Sequence, residues 1–225
     1  MMYTNQADKE LLQLLQKHEN LTFQSQLNLQ KELNRRNMSE DISALNSLID
    51  KKYIAIAELA HLNDIGFKAE KFEDSIKVTR TVKATVMDVI AIILGMALCV
   101  AGIFGITRLI GSFSSENEFS LFSLVINILL IISGKFGIDF LNGIKRLFDY
   151  WGFQLMSSNG VIKLRKRFDM KLEEVEKAED DLSLEKQSNH LVLKLGTEEI
   201  LRGSNKNIIQ AMTVQELFKA LKTDV

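Results

Sequence analysis

The chain has 225 residues, enough for one or two domains, and its 28 basic and 29 acidic side chains nearly cancel, so no overall field favours nucleic acid. It has no proline, which excludes polyproline recognition segments and proline-kinked helices and leaves every turn to Gly, Asn, Asp or Ser. Its one cysteine, Cys99, excludes an internal disulfide and a cysteine zinc site, and His18, His61 and His190 are too few for a metal cluster.

Residues 1–84 read as a helical cytoplasmic segment. Leu11, Leu12, Leu14 and Leu15 give a short apolar face between Ala7 and His18. Thr22 is placed to cap a second helix running to Arg36. The text LTFQSQLNLQKELNRRN resembles a short two-helix element of bacterial proteins, in which a capped helix ends in Glu-Leu-x-x-Arg. That resemblance implies a packing unit rather than an activity. Ser39, followed by Glu40 and Asp41, is expected to start a third helix. Ile42, Leu45, Leu48, Ile49, Tyr53, Ile56 and Leu59 mark its buried face, and Gly66 ends it. From Phe67 to Asp88 two patterns compete. Ile76, Val78 and Val82 alternate as in a strand, while continuity with the following apolar run favours helix. His18 and His61 read as solvated or packing residues.

Two apolar runs follow. Val89 to Thr107 holds 19 consecutive residues without a formal charge, ten of them Val, Ile, Leu or Phe. About 20 residues cross a ~30 Å hydrocarbon core, and those ten side chains contribute about −3 to −6 kcal/mol to insertion. Phe119 to Ile138 has thirteen such residues and one charge, Lys135, expected near the end of its span, where it can snorkel. The chain is therefore predicted to form an antiparallel transmembrane hairpin over 85–144, with spans at about 89–110 and about 119–140. Lys71, Lys77, Arg80 and Lys83 precede it, and Lys145 and Arg146 follow. The connection offers Arg108 against Glu116 and Glu118, so both termini are expected to be cytoplasmic, in a multi-pass protein of the cell (inner) membrane. The polar stretch Met1 to Glu10 offers no cleavable signal peptide. Asp88 and Asp139 are expected at similar depth near the cytoplasmic interface, with Lys135 and Asp139 spaced to pair on one helix face. Gly95, Gly102, Gly105, Asn127 and Gly134 are the candidate helix–helix contacts. Packing within the hairpin, oligomerisation through Asn127 and a polar pore lining all remain open.

After Tyr150 the period changes to two. Ser158-Asn159-Gly160 is a hairpin signal, because Asn-Gly suits positive φ. Ile162, Leu164, Phe168, Met170 and Leu172 share one side of a strand, and Lys163, Arg165, Arg167 and Lys171 the other. Leu182 and Leu184, then Leu191, Leu193 and Leu195, alternate about a turn at Gln187-Ser188-Asn189, and Gly196-Thr197 makes another. Thr213-x-x-Glu216 reads as a capping box opening a helix with Val214, Leu217, Phe218 and Leu221 on its inner face. Phe168, Leu172, Val175, Ala178 and Leu182 also fit a helix, which over 168–186 would split the sheet.

Residues 145–225 thus read as a cytoplasmic β-rich domain closed by a helix. The aromatic start Tyr150-Trp151-Gly152-Phe153, the strand from Val161, a turn at Leu172-Glu-Glu-Val175-Glu-Lys and the closing helix resemble a bacterial PH-like domain attached to a two-helix membrane hairpin. The resemblance implies an α+β fold and a binding module rather than a catalyst. Lys145, Arg146, Lys163, Arg165, Lys166 and Arg167 are candidate contacts for anionic lipid. The competing reading is a solvated strand face paired with Glu173, Glu174, Glu176 and Glu179.

No Walker loop, G-x-S-x-G, His-Glu-x-x-His or Cys/His nucleophile pair occurs, so neither a catalytic residue nor a cofactor or metal site is expected. The expected partners are the lipid bilayer and either a second copy or another membrane or cytoplasmic protein. The function expected is a membrane-anchored interaction or scaffold module. The alternative is a small oligomerising membrane effector or pore.

Overall fold

The computed structural model describes residues 3–38, 41–73, 75–114, 121–168 and 171–222. Three helices come first, α1 (Asp8–Gln16), α2 (Phe23–Arg35) and α3 (Ser43–Ala57), then strands β1 (Phe67–Phe72) and β2 (Ser75–Arg80). Two long apolar helices follow, α4 (Val82–Ser114) and α5 (Leu121–Tyr150). The C-terminal part is β3 (Gln154–Ser158), β4 (Val161–Phe168), β5 (Lys171–Ala178), β6 (Leu182–Gln187), β7 (His190–Leu195), β8 (Glu198–Ser204) and α6 (Ile208–Lys222). The fold is therefore mixed α+β, with two long apolar helices and a C-terminal sheet ending in a helix. Strands β1 to β5 form one sheet in that order, and β6 to β8 a second. Since β2 and β3 are sheet neighbours, α4 and α5 are an insertion between adjacent strands.

Four expectations need correction. The third helix ends at Ala57 rather than at Gly66, because Leu59 turns left-handed at φ 61° and a separate short 3-10 helix, Ala60–Ile65, follows, and Tyr53 is exposed rather than on its buried face. Residues 67–80 form strands, not a helix continuing into the apolar run. Ile76 and Val78 are buried on one side of β2, so the two-residue alternation prevailed. Leu172 to Lys177, expected as a turn, lie within β5, and 168–186 is not one helix. Helix α6 starts before Thr213. Asn207 caps it, its Oδ1 accepting the Ile209 N–H at 3.1 Å, while the Thr213 hydroxyl donates to the Ile209 carbonyl from inside the helix. The Asn-Gly signal is realised, with Asn159 at φ 51° and Gly160 at φ 74° between β3 and β4. Ser39 and Glu40, the loop carboxylates Glu116 and Glu118, and Met170 lie outside the described residues.

The chain divides into two compact units. The first combines Met1–Val78, Met156–Ile162 and Glu176–Val225. Its helical core joins Tyr3, Leu11, Phe23, Leu29, Leu33, Leu45, Ile49 and Ile56, and Ile208, Ile209 and Met212 of α6 pack against it. β6, β7 and β8 are antiparallel, and the buried row Leu191, Leu193, Leu195 runs along β7. Gly203 lets α6 lie on β8, because a Cβ there would stand 2.8 Å from Val214 Cγ2. The second unit is Thr79–Leu155 with Lys163–Val175 and contains both apolar helices.

One buried charge organises the helices of the first unit. Glu32, only 2% exposed, accepts from Arg35 Nη2 at 2.6 Å and Arg36 Nε at 2.7 Å. Arg36 also reaches Asp8 and the carbonyls of Tyr3 and Thr4, tying α1 and the chain before it to α2. The hydrogen bond from Arg35, helped by Arg36, outweighs burial and takes the Glu32 carboxyl from its ordinary 4.5 to about 2. A depressed folded-state pKa adds stability above the unfolded value that is lost as pH falls through the folded one. Glu32→Gln should therefore lower the thermal midpoint at pH 7. The gap to the parent chain should close between 4.5 and about 2, read by circular dichroism across that range. A gap that stays constant with pH would assign the effect to packing.

Candidate functional site

The second unit has a charged site at one end of its helix pair. Helix α4 starts at a cap, Thr81 Oγ1 accepting the Ala84 N–H at 3.2 Å. Two turns in, Asp88 is 2% exposed. A carboxylate buried to this degree requires cationic donors. Arg80, at the end of β2, donates from Nη2 to Oδ2 at 2.7 Å, and Arg146, near the end of α5, donates from Nε to Oδ1 at 2.7 Å. Both oxygens are occupied, and the two arginines join the start of α4 to the end of α5. The Arg80 guanidinium also lies 5.0 Å from the Tyr150 ring centroid, and Tyr150 meets Phe153 edge-on at 5.5 Å. Gly152 makes the turn between them at φ 76°, with its Cβ position 3.3 Å from Leu172. Thr79, Thr85, Leu147 and Trp151 complete the lining of a cavity of about 250 Å³ beside the ion pairs. Trp151 is 53% exposed at its rim. Chemically the arrangement is a clamp with an amphipathic mouth, since its one carboxylate is engaged by two guanidiniums.

The six candidate lipid contacts do not form one free basic patch. Arg146 is bound to Asp88, and Arg167 lies 5.7 Å from the Phe148 ring centroid. Lys163 and Arg165 are exposed on β4, alternating with the buried Ile162 and Leu164, while Lys166 is half-buried and Lys145 is exposed on α5. Among the described residues no group of three or more His, Cys, Asp or Glu side chains is placed to hold a metal ion.

The candidate glycines lie where the two helices touch. A Cβ on Gly102 would stand 2.6 Å from Gly134 Cα. One on Gly95 would stand 2.9 Å from the Gly137 carbonyl, and one on Gly105 2.7 Å from Leu130 Cβ. Partners descend along α5 as positions ascend along α4, so the helices are antiparallel. Asn127 is 1% exposed and lies beside Gly105, facing α4. Its side chain is buried, and its Nδ2 has no hydrogen-bond partner among the described residues. The same register corrects the reading of Lys135. With Gly134 on Gly102, the lysine stands at mid-length of α5 rather than near an end, and Asp139 is not level with Asp88, which lies beside Gly143, one turn further along α5.

Sequence reasoning counted Arg80 only as a flanking positive charge and missed that it clamps Asp88. The available signal was a lone aspartate at the margin of a long apolar run, which requires a cation on a neighbouring element. No protein-family model, curated protein or solved structure matches the chain.

Asp88→Ala leaves the largely buried Arg80 guanidinium without its carboxylate, while the exposed Arg146 returns to solvent, and should cost about 1–3 kcal/mol. Lys145→Ala should stay within about 0.5 kcal/mol, both read by chemical denaturation of the purified chain. Gly102→Leu should destabilise by about 1–3 kcal/mol or more through overpacking. At Gly111 a Cβ meets nothing within 4 Å, so Gly111→Leu should be neutral in the same assay.

Proposed function

We propose that the chain is a two-span integral membrane protein whose soluble parts act together as an anchored interaction or scaffold module at the cytoplasmic face of the cell (inner) membrane. The observation that carries this reading is the outward surface of the helix pair. Ile93, Met96, Val100, Ile103 and Phe104 on α4, and Leu129, Ile132 and Phe136 on α5, all stand exposed. Water tolerates such a continuous apolar surface poorly, whereas hydrocarbon accepts it. Both helices are long and apolar enough to cross a membrane. At 33 and 30 residues they extend roughly 50 and 45 Å, beyond a ~30 Å core, so their charged ends can stand in the headgroup region. Asp88 with its two arginines, and Tyr150 with Trp151, have the composition of such an interface.

An antiparallel hairpin returns the chain to the side it started from, and its basic flanks favour the cytoplasm for both termini. Short strands closed by α6 support a PH-like reading of the C-terminal part, hence binding rather than catalysis, with exposed Lys145 and Arg165 available to anionic headgroups. A pore gains no support from Asn127, which is enclosed between the helices.

Two measurements test this. The chain should stay in the pellet after alkaline carbonate washing of membranes. In a Cys99→Ala background, an impermeant maleimide should label Ser112→Cys in intact spheroplasts, and Lys206→Cys only after permeabilisation. Release by carbonate would refute membrane insertion, and labelling of Lys206→Cys from outside would refute the orientation.

A further inference from the structure

Lys135 and Asp139 are one turn apart on α5, and both are exposed. Among the described residues neither takes a hydrogen bond or an ion pair, with each other or with a third group. Arg146, at the clamp, is eleven positions beyond Lys135, about 16 Å at ~1.5 Å per residue. In the membrane setting proposed above, on which this inference rests, Lys135 is near mid-bilayer. That is further from the headgroups than a four-carbon stem spans. An ammonium and a carboxylate left bare in hydrocarbon require partners.

The surface around them identifies one. Val125, Ile128, Ile132, Lys135 and Asp139 follow a three-four-three-four spacing along α5, and all five are exposed. That spacing makes one continuous seam suited to a left-handed helix crossing. Two copies inserted with the same orientation are related by a two-fold axis along the membrane normal, which brings a seam onto itself. The seam is self-complementary in charge, because the cation of each copy lies within one turn of the anion of the other. Pairing within one helix is the weaker solution. Lysine N-terminal to the acid at this spacing is the less favourable order, and the structure leaves that pair unmade.

We propose that this seam is the contact between two copies of the chain, with Lys135 of each reaching Asp139 of the other. Asn127 plays no part in it.

The test uses full-length chains carrying two different tags, co-expressed and captured through one tag from mild detergent. The parent copies should capture each other. Lys135→Asp places four carboxylates in the seam and Asp139→Lys four ammoniums, so each variant should lose self-capture by roughly tenfold or more. Co-expressed, the two variants should capture each other, which pairing within a single helix would not produce. If either charge reversal prevents insertion, Lys135→Met with Asp139→Leu inserts more readily and should also lose capture. Parent copies that do not co-purify, or a double apolar variant that self-captures as well as the parent, would overturn the proposal. Carbonate extraction of the same preparations separates that failure from failure of the membrane reading, since a chain released by carbonate never had a lipid-facing seam.

Discussion

A carboxylate that loses water must find donors, and at Asp88 that requirement draws three segments together. Arg80 comes from a strand, Asp88 from the first long helix and Arg146 from the second, so one ion triad fixes where α4 begins relative to where α5 ends. The glycines then determine how near the helices come. Gly102 on Gly134 allows backbone contact without side chains between, and the many small dispersion terms of such an approach hold the two helices together. Charge sets the register at one end, and small residues set the spacing along the length.

The two units solve the buried-charge problem with the same chemistry and different surroundings. Glu32 and Asp88 are each held by two arginines, one near a water-facing helix surface and one at the margin of an apolar hairpin. In both, an arginine reaches across to a second element. The planar fork of guanidinium suits this work, because it grips a carboxylate oxygen and still has donors for a backbone carbonyl or an aromatic face. Arg36 uses the first option and Arg80 the second.

Much of the architecture was legible in the residues. The apolar runs were unmistakable by length alone, and Asn159-Gly160 announced its turn because few other pairs accept positive φ twice. Thr22 was legible as a cap for the same local reason. What failed depended on partners far away in sequence. β1 and β2 read as helix because their two-residue alternation is short and stands next to a strong helical signal, and sheet neighbours decided the outcome. The start of α6 was misplaced because Thr213 mimics a cap while serving as a buried helix residue. At the site, the glycines and Asp88 were visible as unusual residues. Which cation Asp88 would take, and which way Asn127 would face, depend on helix register, and register is not written in composition.

The core of the first unit has a consequence for chain growth. Tyr3, Leu11 and Phe23 belong to a cluster that is completed by Ile208, Ile209 and Met212, close to the far end of the chain. During synthesis the N-terminal helices must wait for about 150 further residues, including both apolar helices, before their last apolar neighbours emerge. At ~5–20 residues per second that interval is roughly 8–30 s, long enough for a half-covered greasy face to meet other molecules. The two apolar helices thus leave the ribosome before the helical core that precedes them can close. A nascent-chain chaperone would find its substrate already open.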